Sequence, residues 1–137
     1  VFFQMKSRDT FAPMGPYLVT ADEIDDPQNL QIKLHVNGDL KQNFNTDDMA
    51  HKIPQALEWI TSIHTLNPGD VLATGTNHRG LSPVMDGDVV TLEGEGMGLL
   101  TLKVRDDLKR EWQRATRLER EEQGHNDTAP QIKGKYS

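Results

Sequence analysis

The stretch Leu66-Asn67-Pro68-Gly69-Asp70-Val71-Leu72-Ala73-Thr74-Gly75-Thr76-Asn77 organises the reading of the whole chain. Pro-Gly-Asp predicts a turn in which Gly69 takes the positive φ that side chains resist. The apolar run Val71 to Ala73 is too short for a helix and is bounded by turn residues, so it reads as a buried strand. That strand delivers Gly75 between the hydroxyls of Thr74 and Thr76, followed by Asn77, His78 and Arg79. Amides, hydroxyls and a guanidinium gathered at one mouth suit a small anion. Thr76, Asn77, His78 and Arg79 are therefore the candidate substrate-binding residues, weighed against the plainer alternative of a solvated turn.

Downstream, Asp88 to Glu93 and Leu99 to Val104 read as strands joined by Gly94-Glu95-Gly96-Met97-Gly98. The glycine spacing is not that of a dinucleotide loop and no helix follows, so a hairpin is expected. Upstream, Leu30, Ile32, Leu34 and Val36 alternate with Gln31, Lys33, His35 and Asn37, and Asn37-Gly38 predicts a type I′ turn. Thr46-Asp47-Asp48 looks like a helix start with a capping hydroxyl. After it, Pro54 suits the first turn of a helix whose core face is Ile53, Ala56, Leu57, Ile60 and Ile63. His35, His51 and His64 read as surface groups rather than metal ligands. The acids Asp22, Glu23, Asp25 and Asp26 lack the central glycine and closing glutamate of a calcium loop.

At the two ends the pattern is looser. Val1 to Met5 resemble the middle of a strand, as though the chain were the C-terminal part of something longer. Lys6 to Pro16 is expected to be a loop, since two prolines and a glycine crowd its end, and Tyr17 to Thr20 a short strand. From Asp106 to Gln123, Leu108, Trp112, Ala115 and Leu118 form a narrow apolar stripe among charges. It predicts an amphipathic helix of about five turns closed by Gly124. His125 to Ser137 reads as a loosely held tail. The expected division is a body at 1–104, a helix at 105–124 and a tail at 125–137.

Composition excludes several classes. With 21 acidic and 15 basic residues the formal charge is −6, which argues against nucleic acid as the main partner. No cysteine is present, so disulfides, thiolate metal sites and a thiol nucleophile are ruled out, and a cytoplasmic location is the expectation. No apolar run approaches the ~20 residues of a membrane helix. A chain of 137 residues is expected to form one domain that buries roughly two-thirds of its unfolded surface.

Taken together, KSRDTFAPMGP, HVNGDLKQNFNTDDM, TLNPGDVLATGT and MDGDVVTLEGEGMGLL, in that order, resemble the C-terminal half of the fumarylacetoacetate hydrolase family's catalytic domain, over about Met5 to Val104. The resemblance implies an α+β fold, mainly β, a mixed β-roll with a few helices. It also implies a homodimer, and a bound Mg²⁺, or Mn²⁺ or Ca²⁺. The implied reactions are hydrolysis, decarboxylation or isomerisation of small keto acids. Residue by residue, Lys6 and Thr10 match the family's Lys-x-x-x-Thr, beside the metal and its waters, with Lys6 catalytic. Thr76 matches the threonine of its Gly-Thr substrate loop. Many members follow that Gly-Thr with proline, where this chain has Asn77. The family's metal ligands, a Glu-x-Glu pair and an aspartate, and its catalytic histidine would lie upstream of Val1, on an upstream segment or a companion chain. Two functional classes follow: part of a metal-dependent keto-acid enzyme, or a non-catalytic domain that keeps the roll and dimer surface without the metal site.

Overall fold

The structure, a computed structural model, describes residues 1–134; Lys135 to Ser137, the end of the expected tail, lie outside the described residues. A four-stranded antiparallel sheet runs in the order β2-β1-β3-β4, from β1 (Gln31–Val36), β2 (Asp39–Asn45), β3 (Val89–Gly94) and β4 (Gly98–Lys103). Both expected hairpins form. Asn37 and Gly38 take φ of 53° and 88°, the double positive φ that a type I′ turn demands. The Asn37 side chain also reaches sideways, accepting from Val89 N at 2.9 Å and donating to Asp88 Oδ1 at 2.9 Å. The turn that makes one hairpin thereby fixes the start of the other.

Register follows from the alternation. Ile32 pairs with Phe44, Leu34 with Leu92, Val36 with Val90, and Leu92 with Leu100, so one face of the sheet is apolar. Lys33 pairs with Asn43 and with Glu93, and Thr91 with Thr101, on the polar face. The β1–β2 register slips between Leu34 and His35, a bulge that leaves Lys41 without an opposite residue and bends β2.

Helix α1 (Phe2–Lys6) replaces the strand expected at Val1 to Met5, and helix α2 covers Ile53–Thr61. An apolar run carries no preference for extended backbone without a ladder to join, and among the described residues no strand pairs with this segment. Tyr17 to Thr20 and Val71 to Ala73 are likewise irregular rather than strands. Thr46 does not cap a helix. Its hydroxyl instead accepts from Leu30 N at 2.9 Å and donates to Pro27 O at 2.9 Å, while Asn45 accepts from Asp47 N and starts a single 3₁₀ turn. Gln28 then places α2 by accepting from Ile53 N at 2.8 Å and donating to Thr46 O. The expected core face of α2 is only half-buried, with Leu57 41% and Ile63 63% exposed.

The largest departure is at the C-terminal end. No five-turn helix forms between Asp106 and Gln123. Asp106 accepts from Leu108 N and Arg110 N, Lys109 takes φ of 50°, and the chain enters β5 (Glu111–Trp112). Helix α3 spans only Arg117–Glu122, because Thr116 and Glu119 close a reciprocal cap at its start. The segment expected to be loose returns as β6 (Gln131–Lys133), antiparallel to β5.

The most buried apolar side chains are Val36, Met85, Val90, Ala115 and Ala129. They lie toward the β1–β2 turn and the C-terminal segment. The chain as a whole exposes 10685 Å², against ~7,200 Å² for a self-contained monomer of its mass. It buries about half of its unfolded surface rather than the expected two-thirds. Trp59 and Val71 are 67% and 69% exposed, so much of the uncovered surface is apolar.

Candidate active site

The apolar face of the sheet is the floor of an open cleft of about 1160 Å³. Ile32, Leu34 and Leu92 line its floor, Ala56, Trp59 and Ile60 of α2 line one wall, and Leu72 to Arg79 form the other. A cleft this size exceeds the ~300–1,000 Å³ that encloses a small ligand, so substrate alone would not fill it.

The Leu72–Arg79 wall gets its shape from turns, not from a strand. Asn67 N donates to Asp70 Oδ2 at 2.7 Å, Asp70 N to Asn67 O at 3.0 Å, and Gly69 takes φ of 97°, as the Pro-Gly-Asp motif predicts. Gly75 takes φ of 100°, a backbone form closed to most side chains. Asn77 Oδ1 accepts from Arg79 N at 3.0 Å, a turn in which the side chain imitates backbone.

Gln42 ties this wall to the sheet. It is 8% exposed, donates to Asn77 O at 3.0 Å and accepts from the Thr76 hydroxyl at 3.3 Å. Sequence reasoning missed it, because only the register that sets it opposite Leu34 shows that this polar residue stands on the inward face. Gly80 follows the loop and sits against the β2 bulge. A Cβ there would stand 2.1 Å from Lys41 O and 2.5 Å from Gln42 Cγ, so space, not φ, demands glycine.

Thr76, Asn77, His78 and Arg79 are thus brought together on one wall. His51 and Asp48 also line the cleft. The Arg79 guanidinium forms no ion pair with a described residue. Lys6 and Thr10 are not among the lining residues. They sit at the end of α1 and in the following loop, both exposed. The far end of that loop nevertheless lies over the apolar face, where a Cβ added at Gly15 would stand 3.8 Å from Leu100 Cδ1 and Pro16 and Tyr17 lie against Gly98. Thr10 has φ of 68°, a conformation costing a β-branched residue ~1–3 kcal/mol and found preferentially at functional sites.

Among the described residues no three His, Asp or Glu side chains converge to hold a metal ion. A hard cation takes about six oxygen ligands. Nor is any helix among the described residues long and apolar enough to cross a membrane.

Comparison with known proteins settles the ancestry. The profile described as fumarylacetoacetate (FAA) hydrolase C-terminal matches residues 1–105. Maleylpyruvate hydrolase of Aquipseudomonas alcaligenes is 44% identical over 100 residues, covering 73% of this chain and 34% of that protein. The 4-hydroxyphenylacetate degradation bifunctional isomerase/decarboxylase of Salmonella dublin is 42% identical over 101 residues, covering 74% of this chain and 23% of that protein. A crystal structure of maleylpyruvate hydrolase from Sphingobium sp. SYK-6, in complex with manganese(II) and pyruvate, superposes with a TM-score of 0.69 at 42% identity. It covers 71% of this chain and 36% of that one. The chain thus spans about a third or less of the length of these relatives. Its mostly-sheet architecture and its sequence agree with one family along the same residues, and the chain belongs to the fumarylacetoacetate hydrolase family, matching its C-terminal domain.

Proposed function

We propose that this chain forms the substrate-loop part of a divalent-metal-dependent enzyme acting on small keto acids, by C–C hydrolysis or oxaloacetate-type decarboxylation through an enolate. The observation that carries the reading is the cleft wall on which Thr76, Asn77, His78 and Arg79 stand together above an apolar floor. A wall of hydroxyl, amide and guanidinium over apolar ground orients a carboxylate while excluding bulk water from its carbon skeleton. The relatives named as hydrolase and isomerase/decarboxylase, and the one holding manganese and pyruvate, support this chemistry.

The metal itself, Mg²⁺ or Mn²⁺, would be held by residues outside this chain, on an upstream segment or companion polypeptide. The ~3,500 Å² of surface beyond that of a self-contained monomer is more than one side of a typical obligate interface buries, which supports such a completing partner, a homodimer included. The isolated 137-residue chain is accordingly expected to bind Mn²⁺ only in the millimolar range or weaker by calorimetry. Micromolar binding to this chain alone would place the ligands within it and overturn this part of the proposal.

Arg79 reads the distal end of the substrate in this proposal. A guanidinium grips a carboxylate through two parallel hydrogen bonds, which an ammonium cannot reproduce. Arg79→Lys in the assembled enzyme is expected to lower kcat/KM at least tenfold for oxaloacetate, about 1.4 kcal/mol, and much less for a longer acylpyruvate. Equal effects on both substrates would leave Arg79 as a solvated loop residue.

A further inference from the structure

Residues 106–134 lie beyond the matched segment, yet they are fastened to the substrate loop. The first two amides of α3 do not point to water. Arg117 N donates to Leu81 O at 2.8 Å and Leu118 N donates to Arg79 O at 2.9 Å. The opening N–H groups of a helix have no partner within it, and here they hold the carbonyls at the end of the cleft wall.

The segment that makes this grip is itself anchored. Thr116, 8% exposed, accepts from Glu119 N at 3.2 Å and donates to Glu119 Oε2 at 2.9 Å, which fixes where α3 begins. Arg120, only 5% exposed, donates to Gln113 Oε1 at 2.8 Å and also bonds the Asp127 carboxylate, binding α3 to the chain on either side of it. Arg114 donates to Asp88 Oδ1 at 2.7 Å and Oδ2 at 3.1 Å, joining the segment to the start of β3. On the opposite side of the loop, Gln42 donates to Asn77 O, and Gly80 lies so close to the Lys41 carbonyl that no side chain fits there. The loop is held between the bulge in β2 and the helix start.

We propose that residues 106–134 act as a clamp on loop 76–81, and that Arg117 and Leu118, through their backbone amides, are positioning residues that set which keto acids the mouth of the cleft accepts. The selectivity role rests on the reading of Thr76 to Arg79 as the substrate wall; the clamp does not. Fixing the Arg79 carbonyl orients its backbone, and with it the direction from which the guanidinium leaves toward the cleft. A loop freed from the helix would accept different distal groups at little cost, because preorganisation is what separates near-identical ligands.

The test removes one amide. Arg117 is the first residue of α3, where proline is tolerated, and Thr116 before it has φ −72° and ψ 162°, the conformation that proline imposes on its predecessor. Arg117→Pro therefore deletes the donor to Leu81, while Arg117→Ala keeps that donor and loses the same side chain. Hydrogen exchange on the 137-residue chain is expected to find the Arg117 and Leu118 amides protected in the unaltered protein. It should also find the amides of residues 77–81 exchanging at least about tenfold faster in Arg117→Pro than in Arg117→Ala, with β1 and β3 unchanged. Unprotected amides in the unaltered chain, which needs no variant to fold, or equal exchange in the two variants, would overturn the clamp. In the assembled enzyme, the ratio of kcat/KM between a diacid and a monoacid keto substrate should shift about threefold or more in Arg117→Pro alone. Faster exchange with an unchanged ratio would overturn the selectivity role. Inactivity of the unaltered enzyme on both substrates would overturn the functional reading and the selectivity role with it, while exchange still decides the clamp.

Discussion

Replacing Asp88 by alanine is expected to destabilise the chain by about 2–3 kcal/mol, the largest stability effect of any single polar substitution argued from this structure. Asp88 is 3% exposed and accepts four hydrogen bonds: from Met85 N at 2.7 Å, Asn37 Nδ2 at 2.9 Å, and Arg114 at 2.7 and 3.1 Å. Truncation would strand the buried Met85 N–H and take from the exposed Asn37 amide its partner. The Arg114 side chain is 46% exposed and can return to water, which keeps the loss below that of a fully buried pair. A urea unfolding midpoint that falls with unchanged slope would bear this out. An unfolding free energy within about 0.5 kcal/mol of the parent's would mean that the junction contributes nothing.

The same carboxylate makes stability depend on acid. Burial pushes the Asp88 carboxyl up, but the hydrogen bonds from Arg114, Asn37 and the Met85 N–H outweigh it and hold the pKa below the ordinary 3.8. Asp106, hydrogen-bonded first by Arg110 and then by the N–H groups of Leu108 and Arg110, is lowered to about 2. A folded pKa below the unfolded value means stability that is present above the unfolded value and lost as pH falls through the folded one. The transition midpoint should therefore drop between about pH 4 and pH 2, and less steeply in Asp88→Asn, which has no carboxylate to protonate.

Much of the sheet was legible because its signals are local. Asn37-Gly38 fixes a turn by its own backbone, and the alternation from Leu30 to Val36 assigns a face to every side chain without reference to anything distant. Elements that depend on partners were not. Val71 to Ala73 is a short apolar run that has no neighbour to pair with among the described residues, and so takes the shape of its flanking turns. The stripe of Leu108, Trp112, Ala115 and Leu118 has helical spacing, yet Asp106 closes a turn on Leu108 and Arg110, and Lys109 at φ 50° ends any helix there. The stronger local signal lay within the same stretch, since Thr116 and Glu119 are a capping box whose position sets the true start of α3. At the candidate site, Thr76 to Arg79 could be picked out by residue type, whereas Gln42 became visible only once the register placed it opposite Leu34 on the apolar face.

Lys6→Met in the assembled enzyme is expected to lower kcat by about 10²–10³-fold with little change in KM. An enolate leaving or forming at a keto acid concentrates negative charge on one oxygen, and a fixed ammonium beside that oxygen acts more strongly on the transition state than on the bound substrate. Lys6 is exposed and forms no ion pair with a described residue, so its removal should leave the unfolding free energy within about 0.5 kcal/mol of the parent's. The loop it begins already has its far end on the apolar face, through Gly15 against Leu100, and Thr10 holds a strained φ of 68° within it. Rate loss with intact stability is the signature of an electrostatic role. A kcat within about threefold of the parent's would place Lys6 outside the chemistry and leave the Thr76–Arg79 wall as this chain's whole contribution to the site.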